Sequence, residues 1–96
     1  MGEEITILEI LEDVRAADEI LHKFERKYRI HSEVFYNLYS QGLLDDGEHL
    51  EDFAEWSGFY KLRLRREAMF RERSWQMVES LRARSPAQVV QLALST

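Results

Sequence analysis

The chain has 96 residues, 45% of them apolar and 32% charged, with a net charge of −5 and no cysteine. That length and balance describe one folded domain (1–96) and exclude a disordered chain. The missing thiols exclude disulfides, cysteine-ligated zinc and a cysteine nucleophile, and they suit a reducing compartment such as the cytoplasm.

The opening "MGEEITILEILEDV" is acidic, unlike a secretory or transit leader. Gly2 and Thr6 also fit the outline of a myristoylation signal, a short pattern that recurs by chance. Further on, apolar residues fall at Ile7, Ile10, Val14, Ala17, Leu21, Phe24 and Tyr28. Steps of three and four in strict alternation predict a first helix over about 4–29. Ile5, Leu8, Leu11 and Ile20 widen its apolar stripe, as in a helix with two neighbours. The β-branched start "ITILEIL" also suits a short strand, but the helical spacing runs through it without a phase shift.

Ser32 is placed to cap a second helix over 33–41, with Glu33 at its positive start. Gly42 ends that helix, because glycine enters the left-handed conformation cheaply. "LLDDGEHLED" follows as an acidic turn, and a third helix is expected over about 48–82. Such a helix is ~52 Å long at 1.5 Å per residue, longer than a compact domain of this size. It must break, most naturally at Ser57-Gly58, or project towards a partner. Gly58 has a further reading, a small residue that admits another helix closely. Ser85 and Pro86 open a short tail helix over 86–94. The expected fold is therefore all-α, a bundle of three to four helices with long first and third members, assembled as a dimer. No run approaches the ~20 apolar residues of a membrane span.

Charge is unevenly distributed. Residues 1–60 carry a net −10 and residues 61–96 a net +5. Such polarity favours antiparallel helices that neutralise each other, or head-to-tail association. Carboxylates at Asp45, Asp46, Glu48, Glu51, Asp52 and Glu55 do not follow calcium-loop spacing and read as a solvated helix start. His22, His31 and His49 share no i, i+4 spacing, and no nucleophile elbow or phosphate loop occurs. These patterns predict no enzyme, no metal and no cofactor. The stretch "KLRLRREAMFRER" places Lys61, Arg63, Arg65, Arg66, Arg71 and Arg73 on one helix, a candidate nucleic-acid element diluted by Glu67 and Glu72.

Seven of the eleven aromatic residues lie between Phe35 and Tyr60. On the third helix Phe53, Trp56, Phe59 and Tyr60 cover more than half the circumference at 100° per residue, so some are expected to meet a partner. Lys27-Tyr28, the run Ser32 to Tyr39, Gly42, Asp45-Asp46 and the run Asp52 to Tyr60 form a pattern. It resembles small helical prokaryotic proteins, the antitoxin halves of type II toxin–antitoxin pairs. The acidic turn here is longer, and the tail from Ser74 has no counterpart. The resemblance implies a protein-binding module that neutralises a cognate toxin, a basic protein such as a ribonuclease. The surface expected to do so combines Trp56, Phe59 and Tyr60 as anchors with Asp45, Asp46, Asp52 and Glu55 as charge. An operator-binding dimer using the basic stretch and a structural helical adaptor are the alternatives.

Overall fold

The computed structural model describes residues 4–44, 47–85, 87 and 89–92. Among them are three helices and no strand: α1 (Ile7–Tyr28), α2 (Ser32–Ser40) and α3 (Leu50–Ala83). α1 begins later than its apolar spacing suggests because Thr6 stops it. The Thr6 hydroxyl accepts from the Glu9 amide, and the Glu9 carboxylate accepts from the Thr6 amide and hydroxyl. This reciprocal cap holds two helix-start donors at once, so the β-branched opening is a helix with a cap, not a strand. At the other end Arg29 takes a left-handed conformation, φ 60°, and its amide bonds back to the Glu25 carbonyl.

α2 is capped by His31, whose Nδ1 accepts from the Glu33 amide at 3.1 Å. Ser32, the expected cap, is already inside the helix and buried. Gly42 does what the sequence predicts. It sits at φ 72°, while the Leu43 amide reaches the Leu38 carbonyl and the Gly42 amide that of Tyr39. That paired bonding is the usual left-handed helix stop.

α3 runs unbroken for 34 residues, ~51 Å at 1.5 Å per residue. Ser57-Gly58 therefore does not interrupt it. Nor does Gly58 admit a close neighbour, because a Cβ added there would meet nothing within 4 Å. The helix instead projects. The radius of gyration is 18.2 Å and the molecule measures 60 × 31 × 28 Å, against ~12–13 Å for a compact chain of this length.

The expected tail helix over 86–94 is absent from its described residues. Ala87 is in a turn and Val89 to Leu92 have no regular structure; Pro86, Gln88, Ala93 and Leu94 lie outside the described residues. One physical reason applies: a helix of nine residues is too short to cover its nucleation cost without tertiary packing.

Five contacts align the long helices: Lys27 with Asp52, Lys23 with Glu55, Asp18 with Arg63, Asp13 with Arg66, and the Ile5 carbonyl with Arg73. α1 numbers fall as α3 numbers rise, so the pair is antiparallel, and Asp13 and Asp18 of the acidic first half pair with Arg66 and Arg63 of the basic second half. α2 lies across one end of the pair only. There Leu21, Phe24, Phe35, Phe53 and Trp56 form the buried cluster. Of the spacing read in α1, Ile10, Ala17, Leu21 and Phe24 are buried, while Ile7 at the opposite end is exposed.

Candidate functional site

Two regions follow from this layout. The first is the junction of all three helices, centred on Trp56. Phe35 of α2 lies flat against its ring, with centroids 3.8 Å apart and planes 3° apart, and Phe24 of α1 stacks at 5.5 Å. Tyr28 stacks at 5.6 Å, and Phe53 meets Tyr28 edge-on. A buried indole N–H needs an acceptor. Trp56 Nε1 donates to Ser32 Oγ at 2.8 Å, and the Ser32 hydroxyl donates to the Glu25 carboxylate at 2.7 Å. The Ser32 amide donates to the same carboxylate oxygen at 2.9 Å. Burial pushes the Glu25 carboxyl up, but the Ser32 bonds and the nearby His31 and His22 outweigh it, leaving it below the usual range. One serine thus ties α1, α2 and α3 together.

At the outer edge of the junction, Asp52 accepts from Lys27 at 2.6 Å and from the Tyr28 hydroxyl at 2.5 Å. These two bonds, Lys27 first, hold its carboxyl below the usual range. Burial, then the Asp52 bond, moves the Tyr28 phenol the other way.

This geometry redistributes the residues proposed as partner anchors. Trp56 has no accessible surface, so the anchor role expected of it is replaced by a core role. It was unreadable because the two rings that enclose it come from other helices. Phe59 and Tyr60 are half-buried against the same cluster, and Tyr60 tilts on Tyr36 at 5.0 Å. Asp52 is engaged by Lys27 and Tyr28, and Glu55 pairs with Lys23 at 3.7 Å. Asp45 and Asp46 lie outside the described residues. The basic stretch is likewise largely engaged: Arg63 with Asp18 and Glu67, Arg66 with Asp13, Arg71 with Glu67, and Arg73 with the Ile5 carbonyl. Of the six, Lys61, Arg65 and Arg73 form no ion pair among the described residues, and Arg73 is held by the Ile5 carbonyl instead.

The second region is surface that three helices cannot cover. Seven apolar residues are buried, yet twelve large ones are exposed among the described residues. Val34 on α2, Leu43 just after it and Leu50 at the start of α3 are each more than half exposed, with Glu33, Glu48 and Glu51 among their neighbours in the chain. Leu64, Phe70, Trp75 and Met77 lie along the far half of α3, with Ile7, Leu8 and Leu11 at the start of α1. Trp75 was not singled out by its sequence context. Its signal is its place eleven residues after Leu64, which puts both on one helical face.

Between the two regions a cavity of about 370 Å³ opens beside Tyr60, Arg63 and Leu64, walled by Asp18, Glu25 and Glu67. Its acids outnumber its arginine. Among the described residues no group of three or more His, Asp or Glu is placed to hold a metal ion. No described helix is long and apolar enough to cross a membrane. No protein-family model matches the chain, and no curated protein or solved structure matches it either.

Proposed function

We propose that this chain is a protein-binding helical module, an antitoxin that works by covering a basic companion toxin in the cytoplasm, itself assembled as a homodimer. The residues that carry the resemblance to antitoxins build the junction: Lys27-Tyr28 with Asp52, Ser32 with Trp56, Phe35 and Gly42. They shape a rigid platform and leave the recognition to what stands outside it.

The observation that carries the reading is the α2 end of the molecule. Val34, Leu43 and Leu50 expose 51%, 66% and 56% of their surface. Acids surround them in sequence, with Asp45-Asp46 in the same connection. Apolar side chains within an anionic field suit a cationic, apolar partner, since charge steers the encounter and apolar burial holds it.

The test is co-expression with the product of the adjacent reading frame. Co-elution, and loss of that product's RNA cleavage, is the expected result. Leu43→Arg with Leu50→Arg should release the companion while the helical circular-dichroism signal stays. A companion that co-elutes equally with this double variant would remove the α2 end as the docking surface. No association with the neighbouring product would remove the antitoxin reading.

A further inference from the structure

We infer that the uncovered far half of α3 is a self-recognition seam, occupied by the same helix of a second copy running antiparallel. This rests on the homodimer part of the reading above and is independent of the companion's identity.

Length is the first argument. α2 covers α3 only up to about Tyr60, and α1 begins level with Arg73. Residues 61–73 therefore lie beside α1 with one side open, ~20 Å of groove at 1.5 Å per residue. Residues 74–83 overhang the start of α1, ~15 Å of helix with no neighbouring helix among the described residues, though Leu81 near its end shares a cavity with Val89 and Gln91. One copy's overhang fits the other's groove, and a two-fold axis lets both dockings happen at once.

Pattern is the second. Leu64, Ala68, Arg71, Trp75, Val78 and Arg82 step by four and three in alternation, the spacing of a helix–helix seam. Leu64, Ala68, Arg71 and Trp75 are exposed, and Val78 and Arg82 are half-buried. Turned end for end about residue 73, the series maps onto itself. Ala68 then faces the second copy's Val78, a small residue opposite a branched one. Arg71 faces its Trp75, guanidinium on indole, an attraction that strengthens as water leaves. Leu64 faces its Arg82, which arrives beside the acidic cavity of Asp18 and Glu67. On α1, Ile7, Leu11 and Val14 fall on the side of that helix that also carries Asp18 and so flank the groove. Arg71 pairs at 3.5 Å with the half-buried Glu67, which Arg63 also holds, and Arg82 pairs with the exposed Glu79; loose pairs at a solvent-facing edge exchange at little cost.

Because the natural chain has no cysteine, engineered thiols report the register directly. Ala68→Cys with Val78→Cys should give a covalent dimer on mild oxidation. Within one helix the two sites are ~15 Å apart and cannot bridge. Sedimentation equilibrium of the unmodified chain should show dimers near 100 µM (about that order, well above the micromolar affinity scale), and Trp75→Glu should weaken self-association at least tenfold with helicity kept. A chain that stays monomeric at that concentration overturns both the seam and the homodimer. A dimer that neither cross-links in the double variant nor responds to Trp75→Glu overturns the seam alone. Cross-linking by Ala68→Cys without its companion substitution overturns the antiparallel register.

Discussion

Trp56 and Trp75 sit on one continuous helix and have opposite surroundings. Trp56 has aromatic rings on its faces and a serine hydroxyl on its N–H, and is fully buried. Trp75 lies past the end of α1 and is 57% exposed. The residue type and the secondary structure are the same. What differs is the number of neighbouring helices among the described residues: two at Trp56 and none at Trp75. A third helix of only nine residues is enough to turn one end of a helical hairpin into a core and leave the other as surface.

The comparison is broken most severely by Trp56→Ala. Removing the indole from between Phe24 and Phe35 should cost about 3–5 kcal/mol in chemical denaturation followed by circular dichroism. An effect under about 1 kcal/mol would mean that the junction does not hold the fold. Ser32→Ala leaves the indole N–H without an acceptor and takes one of two donors from the Glu25 carboxylate, the backbone amide remaining, and should cost about 1–3 kcal/mol. Glu25→Gln sharpens the point through pH. The folded state holds the Glu25 carboxyl below its ordinary range. Its stabilising contribution is therefore present at neutral pH and is lost as pH falls through that lowered value. The stability gap between the natural chain and Glu25→Gln should narrow from pH 7 to below about pH 4; a constant gap would contradict the assignment.

Smaller effects lie away from the junction. Gly58→Ala should stabilise by up to about 1 kcal/mol, because the added methyl enters open space on a helix that glycine weakens. Destabilisation there would reveal a neighbour on that face. Smallest of all, Trp75→Ala should alter monomer unfolding by less than about 0.5 kcal/mol at dilution, the ordinary range for surface substitutions. A loss comparable to that of Trp56→Ala would end the contrast between the two tryptophans.

Much of the architecture was legible. The three-four spacing from Ile7 to Tyr28 marked α1, and Gly42 marked the end of α2. The scarcity of breakers foretold a third helix too long for a compact domain. The opposed charges of the two halves matched an antiparallel pair, and Asp13, Asp18, Arg63 and Arg66 fulfil it. Local rules were misread where two solutions were on offer. Ser32 resembles a cap, but His31 caps and leaves the serine to the tryptophan. Ser57-Gly58 resembles a hinge, yet one glycine costs a helix only about 1 kcal/mol, and the flanking Trp56, Phe59 and Tyr60 are held in or against the buried cluster.

The sequence by itself determined that this chain is helical and where its first two helices stop, because these depend on periodicity, capping and composition within a few residues. Only the tertiary structure decided which aromatic residues are core and which charges are already satisfied. Burial depends on neighbours that arrive from distant parts of the chain, and the short reach of α2 left the far half of α3 with α1 on one side only.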